Sequence, residues 1–286
     1  MDIAFSSYPA LEALSEFIAA HAPLCVLSGA GVSTDSGIPD YRDAQGEWKR
    51  PAPMTHQTFI GSHAARQRYW ARALVGFRAL GEALPGPAHL ALAALERHGL
   101  VNGVITQNVD RLHQAAGSRR VIDLHGRADE VRCMHCDIRM PRAAWHARLA
   151  ELNPVWAMLD AAIAPDGDAY LEGDFSTFEV PHCPRCGIGV IKPDVVYFGD
   201  NVPKARVVDA MALLDESRGL WVVGSSLMVF SGFRFARKAS AAGLPIACLN
   251  LGRTRADDLY TLKVEAPLGG SLSALAERLG SFAARR

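Results

Sequence analysis

Leu24-Cys25-Val26-Leu27-Ser28, running straight into Gly29-Ala30-Gly31, is the stretch on which the fold turns. Five uncharged residues ahead of a glycine pair read as a buried strand with a tight turn at its C-terminal end. In open α/β sheets this arrangement brings backbone N–H groups to a pyrophosphate at a helix N-terminus. The dinucleotide fingerprint is incomplete, however. Its third glycine would fall at Thr34. The acidic residue expected about 20 positions further on has only Glu47 as a counterpart, outside any strand pattern. A tight structural turn therefore stays open as the alternative to nucleotide binding.

Working outward, strands are expected at residues 24–28, 101–106, 121–124, 195–198, 220–223 and 246–249. Helices are expected at 11–20, 87–98 (with Gly99 as its stop), 203–215, 232–242 and 271–279. Strands alternating with helices predict βαβ units and an α/β fold with a doubly wound, Rossmann-like parallel sheet. Two stretches break the alternation. Residues 48–86 are rich in Arg, Trp, Phe and Ala without a strand signal and read as a helical insertion. Residues 130–189 hold two cysteine pairs, several prolines and a turn at Pro165-Asp166-Gly167-Asp168, and read as a small separate module. The remainder, 1–47, 87–129 and 190–286, forms the nucleotide-binding domain.

The cysteine pairs are the most specific signal. Cys133 and Cys136 form one Cys-x-x-Cys knuckle and Cys183 and Cys186 a second, with 46 residues between the two. Four thiolates so spaced suit one tetrahedral Zn²⁺, and a closed four-cysteine site leaves no position for a reactive water, so the ion is expected to be structural. His135 and His182 lie beside the thiols without being needed as ligands. Cys25 and Cys248 stand alone in apolar runs and read as small buried hydrophobes.

The 286 residues are 49% apolar and 21% charged, which is ordinary for a soluble globular chain. Thirty Lys and Arg balance thirty Asp and Glu, so no bulk attraction to nucleic acid or to an anionic membrane is expected. The longest apolar runs, 219–224 and 245–249, are far too short to span a bilayer. Asp2 and Glu12 with no basic n-region argue against a signal or transit peptide, so a cytoplasmic location is expected.

Polar residues gather where the predicted strands end, which is where open α/β sheets bind ligands. Asp40-Tyr41-Arg42 follows the glycine turn. Gln107-Asn108-Val109-Asp110 ends the 101–106 strand, although Asn108 and Asp110 can equally cap a short helix. His125 ends the next strand, and an imidazole there can act as a base near neutral pH. Gly224-Ser225-Ser226 and Asn250-Leu251-Gly252 end two more, with ordinary turn chemistry as the alternative.

In this order the motifs resemble the sirtuins over nearly the whole chain. The pieces that carry the likeness are residues 29–42, Thr106 to Asp110, Asp123-Leu124-His125-Gly126, the two knuckles, residues 192–200 and Gly224-Ser225-Ser226. The resemblance implies an NAD-dependent protein lysine deacylase that uses NAD as co-substrate and releases nicotinamide, free lysine and O-acyl-ADP-ribose. It implies that Gly29, Ala30, Gly31 and Ser33 cradle the pyrophosphate, and that Asp40, Tyr41 and Arg42 order a loop over the reacting ribose. Gln107, Asn108, Val109 and Asp110 would line the ribose and nicotinamide pocket, with Asn108 and His125 catalytic and His125 the general base. Gly224, Ser225, Ser226, Asn250, Leu251, Gly252 and Leu268 would hold the adenosine half. An acyl-lysine peptide would add as a strand between residues 195–199, with Val195, Val196, Phe198 and Gly199, on one side and residues 228–231, with Val229 and Phe230, on the other.

Within the family the chain resembles the class II branch, which includes the mitochondrial lipoamidase and ADP-ribosyltransferase. Tyr41-Arg42, Gly224-Ser225-Ser226 and residues 66–72 and 164–168 carry that finer likeness. It brings mono-ADP-ribosyl transfer and lipoamidase-type deacylation forward as alternatives. Tyr69 and Arg72, three apart on one helix face, could grip an acidic acyl group. A nicotinamide-linked dehydrogenase shares the glycine turn but has no use for a four-cysteine module. A zinc-ribbon nucleic-acid binder would need a basic patch that this chain lacks.

Overall fold

The runs Leu24–Leu27, Leu220–Val223 and Ile246–Leu249 are uninterrupted and apolar, and such runs need cover on both faces. In the computed structural model, which describes residues 8–49, 54–159 and 171–283, they receive it. The strands are β1 (Leu24–Ser28), β2 (Val101–Thr106), β3 (Val121–Asp123), β4 (Gly126–Cys133), β5 (Arg139–Pro141), β6 (Ile191–Val195), β7 (Gly219–Val223), β8 (Ile246–Leu249) and β9 (Leu262–Val264). The helices are α1 (Tyr8–His21), α2 (His56–Gly61), α3 (His63–Glu82), α4 (Pro87–Arg97), α5 (Leu112–Ala115), α6 (Arg142–Leu152), α7 (Pro154–Ala157), α8 (Lys204–Asp215), α9 (Phe230–Ala241) and α10 (Leu268–Ala283).

Six strands form one parallel sheet in the order β3-β2-β1-β7-β8-β9. Leu14, Leu92 and Leu272, from α1, α4 and α10, cover one face with Val26 and Trp221. Leu213, Phe235 and Ala236, from α8 and α9, cover the other with Leu27 and Val222. The chain winds outward from β1 through β2 to β3, then returns beside β1 at β7 and winds the other way. The crevice between the C-terminal ends of β1 and β7 is therefore the topological switch point, where a doubly wound sheet binds its ligand.

The expected doubly wound sheet is present, with two differences. The strand expected at 195–198 is not part of it. Instead β6 ends at Val195 and pairs antiparallel with β4 in a separate three-stranded sheet, β5-β4-β6. Its apolar residues serve a different core, and its Asp194 is buried against Arg139 and Arg206. The sixth parallel strand is β9, three residues at the sheet edge with Lys263 in the middle, too short and too polar to show an apolar run.

The three-stranded sheet begins at Gly126 and ends at Val195, so it straddles both expected edges of the 130–189 module. The insertion is helical, with Thr55 and Ser62 capping α2 and α3 through their side-chain oxygens. Phe59 and Trp70 of the insertion pack with Trp145 and Phe178 of the module and with Ile191 of β6 in a third apolar cluster. The turn at Pro165–Asp168 lies outside the described residues. Among the described residues, no helix is long and apolar enough to cross a membrane.

Candidate active site and metal centre

Gly29 and Gly224 close the switch point by letting two backbones touch. A Cβ on Gly29 would stand 2.7 Å from Ser225 Cβ and 2.8 Å from Gly224 O. Gly224 adopts a φ of +60°, where side chains are disfavoured. The Gly29 and Gly31 N–H groups donate to Val223 O at 3.1 Å and Gly224 O at 3.0 Å, so these glycines let the ends of β1 and β7 pack closely and their N–H groups are already engaged, unlike the pyrophosphate donors that the sequence suggested. A seven-residue 3₁₀ helix, Ala30–Ser36, follows in place of an ordinary α-helical start.

Beside it lies a closed polar network. Gly86 N–H donates to His89 Nδ1 at 3.2 Å, which leaves the proton on Nε2, facing Ser33 Oγ at 3.3 Å. Asn108 Nδ2 also donates to Ser33 Oγ, at 2.9 Å, and to Gly29 O at 3.1 Å. Ser33 Oγ in turn donates to Asp110 Oδ2 at 2.7 Å. Its hydroxyl thus accepts twice and donates once, which fills its capacity. The ends of β1 and β2 are locked similarly. Ser28 Oγ donates to Thr106 Oγ1 at 2.9 Å and lies 2.8 Å from His113 Nε2, while Thr106 Oγ1 also accepts from Asn108 N. The His89 and His113 rings meet edge to face with centroids 5.0 Å apart. Burial pushes His113 down to about 3 and lowers His89.

Gln107 and His125 face the other side. Gln107 Nε2 donates to Ser225 Oγ at 2.6 Å and to Ser28 O at 3.2 Å. His125 Nδ1 lies 3.1 Å from Gln107 O, an atom that can only accept, so Nδ1 carries the ring proton and Nε2 keeps its lone pair. Ser231 Oγ is 2.7 Å from that lone pair and therefore donates to it. Burial pushes His125 down to about 4, with Arg206 and Arg234 adding like-charge opposition, so the ring is a neutral acceptor at pH 7. His125 O meanwhile accepts Val196 N–H at 2.7 Å. One residue thus joins both segments expected to flank a peptide: Val195–Gly199 through its backbone and Val229–Ser231 through its ring.

The expected cofactor loop is folded on itself. Asp40 pairs with Lys49, and the Arg42 guanidinium lies 3.9 Å from the centre of the Trp48 ring and donates to Gly46 O. Tyr41 meets Trp48 edge to face, and Trp48 meets Phe198 in the same way at 5.2 Å. The loop also docks on the Asn250–Gly252 turn, where Arg253 N–H donates to Ala44 O at 2.8 Å. Ser225 is buried, Leu251 is exposed, and Leu268 packs against Gly224. Phe198 O and Gly199 O already accept from His56 N–H and Gln57 Nε2. Tyr69 sits in an aromatic cluster with Phe59, Trp70 and Tyr197, and Arg72 is half-buried three residues on.

The four knuckle cysteines converge. All four Sγ atoms lie within 4.8 Å of one another, and the Cys133–Cys186 and Cys136–Cys183 pairs are 3.8 Å apart. A tetrahedron with Zn–S bonds of about 2.3 Å has edges of about 3.8 Å, so the set fits zinc. Backbone N–H groups of His135, Cys136, Arg185 and Gly189 point at the sulfurs at 3.3–3.4 Å, as thiolates require. His135 and His182 are not part of the cluster.

Sequence reasoning missed His89, His113 and Trp48, and gave Ser231 only as the end of a peptide-flanking segment, with no link to His125. His89 and His113 sit on helices as single histidines among apolar residues, a pattern that reads as core.

Comparison with known proteins agrees with this picture. The Sir2 family model matches residues 29–231. An NAD-dependent protein deacetylase of Bordetella bronchiseptica is 60% identical over 258 residues, covering 90% of this chain and 94% of the relative. One from Xanthomonas campestris pv. campestris is 61% identical over 264 residues, covering 92% and 90%. A solved structure described as Sir2 bound to acetylated peptide superposes with a TM-score of 0.72 at 27% identity, covering 94% of this chain and 98% of the other.

Proposed function

The chain belongs to the Sir2 family, and from that premise we propose that it is an NAD-dependent protein lysine deacylase that takes acetyl-lysine peptides and releases nicotinamide, free lysine and O-acyl-ADP-ribose. The observation that carries this reading is the position of His125. It presents a neutral Nε2, its lone pair held by the Ser231 hydroxyl, at the C-terminal edge of the parallel sheet and is bonded to both segments that would flank a peptide.

NAD, when bound, supplies the ADP-ribosyl group that accepts the acyl group. The residues present fit it, because Asn108, Asp110, Gln107 and Ser225 gather polar side chains at the C-terminal ends of β1, β2 and β7, at the switch point of the sheet. Asn108 and Asp110, pre-oriented by Ser33, hold the nicotinamide and ribose end, and Gln107 braces Ser225 towards the adenosine half. His125 takes the proton of a ribose hydroxyl at Nε2, while its Nδ1–H keeps the ring oriented on Gln107 O. The peptide adds along Val195–Gly199 and Val229–Phe230, with Trp48 and Phe198 forming an aromatic wall. Cys133, Cys136, Cys183 and Cys186 hold one structural zinc that knits β4 to the end of the module. The domain division we propose keeps the parallel sheet as the cofactor domain and treats 48–86 and 130–189 as attached modules.

We further propose the class II branch, supported by Tyr41-Arg42 and by Gly224-Ser225-Ser226, with larger or acidic acyl groups among its substrates. Incubation with NAD and a panel of acyl-lysine peptides, analysed by mass spectrometry, tests the reading. Nicotinamide and acyl-ADP-ribose in equal amounts support it. NADH absorbance would point to a dehydrogenase, and ADP-ribosylated protein without acyl-ADP-ribose to mono-ADP-ribosyl transfer.

A further inference from the structure

We propose that Ser231 is a positioning residue for His125: its hydroxyl occupies the Nε2 lone pair until a peptide docks along Met228 to Ser231, and its withdrawal then opens that lone pair to a ribose hydroxyl. The proposal rests on the deacylase reading above.

The geometry allows one donor at a time. A neutral imidazole has a single lone pair, on Nε2 here because Nδ1–H faces the Gln107 carbonyl. Ser231 Oγ holds it at 2.7 Å. A base must come within about 2.6–3.2 Å of the oxygen it deprotonates, so a ribose O–H has to take the same position in the ring plane. The two hydroxyls exclude each other.

Ser231 is also placed where a peptide can move it. It lies in the first turn of α9, after the Val229 N-cap, in the segment proposed as one wall of the peptide groove. Phe230, its neighbour, is exposed, and Ser231 is half-buried. A serine has three staggered rotamers, so its hydroxyl can leave without moving the helix. The other groups facing the ring are Arg206 of α8, Arg234 of α9 and the Gln107 carbonyl at the end of β2. None of them can hand over the lone pair: the guanidinium groups face the ring as opposing charges, and the carbonyl is bound to Nδ1–H. The hydroxyl therefore guards the base in the empty protein, and the imidazole is freed only when the peptide is in place.

The test is ¹⁵N NMR of the zinc-loaded protein at neutral pH, with the ring signal assigned by its loss in His125→Gln. The Nε2 resonance reports whether a donor sits on the lone pair. In the wild type, saturating acetyl-lysine peptide without NAD should shift it. In Ser231→Ala it should start at the shifted position and stay there when peptide is added. Ser231→Thr, which keeps the hydroxyl, should behave as the wild type. A wild-type resonance that does not respond to bound peptide overturns the proposal, as does a Ser231→Ala resonance identical to the peptide-free wild type. Nicotinamide release by the same wild-type preparation is assayed alongside. Its absence would count against deacylation, whereas an active enzyme with an unresponsive Nε2 counts against Ser231 alone.

Discussion

Acidification from pH 7 to pH 5 should weaken this protein by a calculable amount at one residue, His113. Its ring is buried, held against Ser28 and within 5.0 Å of His89, and its Nδ1 finds no partner among the described residues. An imidazolium there would lack both solvent and counter-charge. Burial pushes the group from 6.5 down to about 3. The unfolded chain therefore takes up the proton first. Stability from this group is complete above pH 6.5, declines as pH falls, and stops declining near pH 3.

Between pH 7 and pH 5 the linked loss is about 2 kcal/mol, from about 1.4 units of differential proton binding at about 1.36 kcal/mol each. The measurement is urea unfolding of the zinc-loaded protein at both pH values, for the wild type and for His113→Gln, which keeps a hydrogen-bonding group near Ser28. The variant is expected to be less stable at pH 7 but to lose about 2 kcal/mol less than the wild type on acidification. His146, beside Arg142 and pushed down to about 2, adds a loss of the same sign that both proteins share. If the two proteins lose equal free energy on acidification, the reasoning about a neutral buried His113 is wrong.

His125→Ala should lower kcat/KM for deacylation by about 10²–10⁴-fold with an unchanged melting temperature, and activity within threefold of wild type would remove its role as base. Cys183→Ala should lose zinc by elemental analysis and lower the melting temperature, since structural zinc sites contribute on the order of 10 kcal/mol, comparable to the net stability of a domain. One zinc per chain with normal stability would mean the ligand set is different. Arg72→Met should shift the ratio of kcat/KM for glutaryl-type over acetyl peptides by about tenfold if Arg72 meets an acyl carboxylate, because about 1.4 kcal/mol corresponds to a factor of ten. An unchanged ratio with acetyl-lysine as the best substrate leaves simple deacetylation.

Much of this was written in short-range pattern. Apolar runs and glycine turns located β1, β2, β7 and β8, because a strand needs only its own few residues to declare itself. The Cys-x-x-Cys spacing identified four sulfurs that the structure gathers within 4.8 Å, because each knuckle is a local turn with its geometry in its own backbone. The ordered motifs of the 29–42 and 106–126 segments carried the family. Tertiary structure decided what local pattern cannot. An apolar run at 195–198 reads the same whether it joins a parallel sheet or follows an antiparallel one. Only the pairing of Gly126 with Val195 and the burial of Asp194 among arginines place it. Likewise, single histidines on helices look like core until the fold sets His113 against Ser28, 85 residues away, and His125 against Ser231, 106 residues away. Such bonds depend on two distant segments meeting at the right angle, and that meeting is a property of the packed sheet rather than of either segment.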